Sequence, residues 1–142
     1  MTTSPLTTPT RIAFAGDWHE NAVYAQRAIR YARKQNADVL VHLGDFGYSF
    51  SDHFVNTVTR DLGRAGMPLL FVDGNHEDHP KLNQYPVEAN GLRKVTDRVW
   101  HLPRGFRWQW DGVRFLALGG AHSVDRPYRT AGVSWWSEEA TG

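Results

Sequence analysis

The 142-residue chain contains no cysteine, which excludes disulfide staples, thiolate zinc sites and cysteine nucleophiles together. Long apolar runs are also absent. The longest, such as Val39 to Val41 and Leu69 to Val72, are a few residues each, far below the ~20 that cross a bilayer as a helix. Charge of one sign is not in excess: residues 1–71 carry 7 basic and 6 acidic groups, and residues 72–142 carry 9 of each. Nothing in that balance marks a polyanion-binding surface, so a nucleic-acid partner has no support from charge. Lysine is scarce, since 13 of the 16 cations are arginine, a bias that suits phosphate recognition and equally a compositional habit. Met1 to Thr10 is mostly Thr, Ser and Pro and lacks the basic start and apolar centre of a secretory signal. Residues 1–10 are therefore expected as a flexible tail, and the cytoplasm as the default location. With 41% hydrophobic and 13% aromatic residues, the rest is long enough for one domain with a core of its own.

Periodicity gives the order of elements. Arg11 to Ala15 is a short apolar run closed by Gly16, and Ala22, Ala25, Ile29 and Ala32 follow at helical spacing. The pattern recurs, with Val39 to Leu43 ahead of Phe54, Val58, Leu62 and Ala65, and Pro68 to Val72 ahead of a polar stretch containing Pro80. Strands alternating with helices predict parallel βαβ units, here a βαβαβ sheet. After Pro103 the period falls to two: Phe106, Trp108 and Trp110 alternate up to Asp111-Gly112, and Val113, Phe115 and Ala117 alternate beyond it. Asp-Gly between such runs predicts a β-hairpin. A helix is expected to begin near Trp135 and Trp136, capped by Ser134 or Ser137.

Three polar clusters follow the three predicted parallel strands: Gly16-Asp17-Trp18-His19, Gly44-Asp45 and Gly74-Asn75-His76-Glu77. In an open α/β sheet the carboxyl ends of the strands share one edge, where ligands bind. Asp17, His19, Asp45, Asn75 and His76 should therefore converge. Singly, each has a plainer reading: Asp17 as a helix cap, Gly-Asp as a turn, His19 as a surface histidine. Together they form an oxygen and nitrogen ligand set suited to Mn²⁺, Mg²⁺, Fe or Zn²⁺. A carboxylate such as Asp45 has two oxygens and can bridge two ions.

In order and spacing, these residues resemble the calcineurin-like metallophosphoesterases, whose first half carries D-x-H, then G-D, then G-N-H-[DE]. The stretch Gly119-Gly120-Ala121-His122-Ser123, with Asp125, Arg129, Trp135, Trp136 and Glu138, is similar to small bacterial and phage members. The resemblance implies an α/β fold, the first half of a four-layer α/β/β/α sandwich. The activity implied is that of a phosphodiesterase or phosphatase with a dinuclear centre, Mn²⁺ foremost and Fe, Zn²⁺ or Mg²⁺ as alternatives. Asp17 and His19 would hold one ion, Asp45 would bridge, and Asn75 would hold the second. His76 would face the scissile phosphate as a proton donor, and Glu77 would orient a neighbouring group. Weaker expectations place His122 and Arg129 on the substrate.

Two departures from the family pattern stand out. Tyr48 occupies a position where members often carry Asp, and the histidines of the family's second half have no counterpart by Gly142. Residues 11–142 are thus expected to be a domain lacking its C-terminal half, holding one divalent ion tightly at most. Two alternatives stay open: a nuclease or nucleotide phosphodiesterase of the same superfamily, and an impaired module that only binds a partner. His42 is expected inside the second strand, His53 and His79 at helix starts, and His101 at the end of a short segment. Trp18, Phe46, Tyr48, Trp108 and Trp110 are read either as an aromatic rim for the leaving group or as core.

Overall fold

A computed structural model describes residues 4–140. The expected alternation is present: β1 (Ile12–Ala15), α1 (Ala22–Lys34), β2 (Val39–His42), α2 (Asp52–Ala65), β3 (Leu69–Phe71) and a single-turn α3 (His79–Leu82). Next come β4 (Arg93–Lys94), β5 (Val99–His101), and the hairpin strands β6 (Arg107–Trp110) and β7 (Val113–Leu116). The main sheet runs β1-β2-β3-β5-β4, parallel except for β4. Its fourth parallel strand, β5, escapes sequence reading because three residues are too few to show a period.

Alternation along the strands sends side chains to two cores. Leu40, Leu69, Phe71 and Val99 face α1 and α2, meeting Ala25, Ile29, Phe54, Val58 and Leu62. Val39, Val41, Leu70 and Trp100 face the hairpin, meeting Trp110 and Ala117 with Trp108 and Phe115 at the margin. Burying one such Leu, Ile or Phe stabilises the fold by about 1.5–3 kcal/mol. Both helices begin where the sequence supplies an oxygen: Asn21 accepts from the Tyr24 N–H and Ser51 from the Phe54 N–H. Asp111 and Gly112 both adopt positive φ, the turn that matches strand twist. Phe14 on β1 and Leu43 just after β2 stay about 60% exposed beyond the reach of the hairpin.

Of residues 1–10, expected as a flexible tail, residues 1–3 lie outside the described residues; further on, Trp110 donates its indole N–H to the Leu6 carbonyl and the Asp38 carboxylate accepts from the Thr10 and Arg11 N–H groups. One expectation is corrected. The helix expected near Trp135 is a single 3₁₀ turn, Ser137–Glu139, with no side-chain cap from Ser134 or Ser137. Arg104 donates to the carbonyls of Glu138 and Ala140. Of the aromatic candidates, Trp18, Phe46 and Trp110 are core residues, while Tyr48 and Trp108 are half-buried.

The loops after the first three strands are joined edge to edge. Asp17, His19 and Glu20 donate their N–H groups to the carbonyls of Gly44, Asp45 and Phe46 at 2.8–3.1 Å. The Asp78 N–H meets the Tyr48 carbonyl at 2.7 Å. The Glu77 carboxylate, fully buried, accepts four backbone N–H groups, from Asp45, Phe46, Gly47 and Gly74. Gly74 is required there, since a Cβ would run into the Asp45 carboxylate and backbone.

Replacing that carboxylate with a carboxamide (Glu77→Gln) turns one acceptor into a donor and leaves two buried N–H groups facing it. The expected loss is at least about 2 kcal/mol of unfolding free energy, read by urea denaturation, and a loss under about 0.5 kcal/mol would count against Glu77 as the joint. A second prediction concerns His42, which is buried between Trp18 and Phe46 and accepts from the Gly44 N–H. Burial, aided by the nearby His19, lowers its pKa to about 3. The unfolded chain binds a proton there below about 6.5 that the folded chain refuses, so the contribution of His42 to stability is lost as pH falls. Between pH 7 and 5 the parent should lose about 2 kcal/mol more stability than His42→Gln. Equal losses would contradict a buried neutral imidazole.

Candidate metal centre

The joined loops bring most of the expected side chains to one shelf at the carboxyl ends of β1, β2 and β3. Donor atoms of His19, Asp45 and His76 all lie within 4.8 Å of one another. The His19 Nε2 is 3.6 Å from the Asp17 Oδ1 and 3.8 Å from the Asp45 Oδ2, and the His19 and His76 rings are 5.3 Å apart. Asp45 also accepts the His76 N–H at 2.9 Å through its Oδ1. Exposure grades across the shelf, from 82% at the Asp17 side chain to 14% at Asp45. Such convergence is held at the expense of the backbone: Asp17, His19, Glu20, Asp45, Tyr48 and Phe50 all adopt positive φ, conformations that persist only where surrounding bonds fix them. Glu20 supplies some of those bonds by accepting the N–H groups of Ser49 and Ser51 and the Ser49 hydroxyl.

The donor set fits a divalent cation. Among the ion pairs of the described residues neither Asp17 nor Asp45 meets a lysine or arginine, so their charge is uncompensated by the protein. Two carboxylates and two imidazoles are hard-to-borderline donors suited to Mn²⁺, Fe, Zn²⁺ or Mg²⁺. Burial pushes the Glu77 carboxyl up to about 7, and the Asp45 charge adds to this against the pull of the backbone N–H groups. Burial would likewise raise Asp73, just before the Gly-Asn-His turn, but its hydrogen bond to His101 and the Arg104 guanidinium hold it down to about 2.

Other expected residues lie elsewhere. Asn75 is tied by its side-chain Nδ2 to the Ser123 hydroxyl at 3.0 Å. His122 is exposed and stands outside the donor cluster. Arg129 is 9% exposed, and its guanidinium points inward to Ser123, Glu139 and the carbonyls of Asn75 and Ser134. Its donors are engaged within the protein. His42, His79 and His101 are buried, which removes them from the shelf. The sequence assigned no role to Asp125, whose Oδ2 lies 3.6 Å from the His76 Nε2, or to the buried Ser123 and Glu139. Their only signal was the run from Gly119 to Glu139, in which no spacing by itself says which residues turn inward.

Comparison with known proteins identifies the family. No curated protein matches the chain. The family model for calcineurin-like phosphoesterases matches residues 10–141, which includes every strand of the sheet, the hairpin and each residue of the donor cluster. On that match, and on a mostly parallel α/β sheet with a metal-suited shelf at its strand ends, the chain belongs to the calcineurin-like phosphoesterases, a family of metal-dependent phosphoester hydrolases.

Proposed function

We propose that the shelf is a dinuclear hydrolytic centre acting on a phosphodiester or phosphomonoester. The observation that carries this reading is the convergence of Asp17, His19, Asp45 and His76 from three separate loops, with no lysine or arginine among the described residues paired to the two carboxylates. Asp17 and His19 would hold the first ion, Asp45 would bridge, and Asn75 would hold the second. The first ion then has three protein ligands and the second two, one of them shared, so the second binds more weakly. When bound, divalent ions make water acidic enough to serve as a nucleophile near neutral pH and neutralise charge on the phosphoryl oxygens. The role of the His76 ring is to give a proton to the departing alkoxide. The Asp125 Oδ2 lies 3.6 Å from its Nε2.

A second reading has a specific observation behind it, because the ring of His76 belongs to the same 4.8 Å cluster as His19 and Asp45. In that reading His76 is a ligand and the site holds its ion with two imidazoles and a carboxylate.

Replacing Asp45 with Asn keeps the shape but removes the shared anion. Hydrolysis of bis(p-nitrophenyl) phosphate in Mn²⁺ should fall below about a tenth of the parent rate, a loss exceeding ~1.4 kcal/mol of transition-state stabilisation. Retention of more than that removes Asp45 from the bridge. His76→Ala separates the two readings. As proton donor it should lower kcat by about 10²–10⁴-fold, most for poor leaving groups, with Mn²⁺ stoichiometry unchanged in calorimetry. Loss of a bound ion would make His76 a ligand.

A further inference from the structure

Behind Asn75 lies a closed set of hydrogen bonds between groups that are nearly all out of water. Ser123 and Glu139 are 4% and 1% exposed, and the Arg129 side chain 9%. The Ser123 hydroxyl donates to the Glu139 Oε1. It accepts from the Arg129 guanidinium at 2.6 Å and from the Asn75 Nδ2 at 3.0 Å. The same guanidinium meets the Glu139 Oε2 at 3.1 Å and the Asn75 carbonyl at 3.3 Å.

The chemistry of these groups fixes a direction. An ionised carboxylate only accepts, a guanidinium only donates, and a serine hydroxyl has a single proton to give. Glu139 takes that proton, which leaves Ser123 nothing but lone pairs to offer Asn75. A carboxamide has two chemically different ends of the same shape. Turned with its oxygen toward Ser123, it would set oxygen against oxygen in a buried place. Turned with its nitrogen there, it makes a bond and leaves the Oδ1 free at its other end.

We propose that Ser123, with its proton committed to Glu139, is a positioning residue that orients the Asn75 carboxamide so that its oxygen is the atom offered to the metal centre. This rests on the ligand set proposed above. It assigns a task to the segment between Gly120 and Ala140: the loop after the hairpin selects which end of a ligand faces the ion, without touching the ion itself. Groups of this kind that hold a metal ligand from behind typically change metal affinity by about 10–100-fold when removed.

The test uses the whole chain and Mn²⁺ alone. Asn75→Ala identifies the Mn²⁺ binding step that depends on the carboxamide. Ser123→Ala, which keeps the Arg129–Glu139 ion pair, should weaken that step by about 10–100-fold. In the Asn75→Ala background it should weaken it no further. In the metal-free protein, the Asn75 side-chain amide protons should exchange slowly by NMR, and Ser123→Ala should release them. Additive losses, or no loss from Ser123→Ala while Asn75→Ala still weakens binding, would overturn the positioning role and leave the ligand set standing. No effect from Asn75→Ala would remove Asn75 as a ligand and the proposal with it. If Ser123→Ala does not fold, the parent spectrum decides, because freely exchanging Asn75 amide protons would themselves overturn the proposal.

Discussion

A carboxylate without water around it is unstable unless donors replace the hydration it has lost, and Glu77 is placed where four backbone N–H groups do so. Three of the donors come from the loop after β2 and one from the loop after β3. One side chain thus binds two loops that are some thirty residues apart in sequence. The remainder of the shelf depends on this joint. The first loop runs alongside the second through its own backbone bonds, and the positive-φ residues that carry Asp17, His19 and Asp45 are held in place by that edge-to-edge contact.

From this follows the gradation of the site. Asp45, clasped between the joint and His76, is nearly buried and rigidly placed, whereas Asp17 stands almost fully in water. In the proposed dinuclear centre a bridging Asp45 would need to be a fixed anion, since displacement by even an ångström changes its distance to both ions, whereas a terminal ligand would tolerate more freedom. Behind Asn75 the same principle operates with side chains in place of backbone. Arg129 and Glu139 neutralise each other out of solvent, and the serine between them presents only lone pairs. The hairpin contributes through its position, because its Trp110 and Ala117 cover the sheet face opposite the helices and its exit delivers the loop that reaches Asn75.

By itself the sequence determined the βαβαβ order, the hairpin and its Asp-Gly turn, because apolar periodicity and turn chemistry are local. It also placed Asp17, His19, Asp45 and His76 along one edge, since parallel strands must place their following loops there. Glu77, expected to orient a neighbouring group, has backbone N–H groups as its partners, which no side-chain pattern reveals. Only the tertiary structure decided the fate of Arg129, drawn inward by the buried Glu139 charge, and of residues 4–10, drawn down by Trp110 and Asp38. The expected helix is one 3₁₀ turn, with Arg104 donating to the carbonyls of Glu138 and Ala140. In each of these cases the partner lies ten or more residues along the chain, and a hydrogen bond at such a separation leaves no period in the sequence to read.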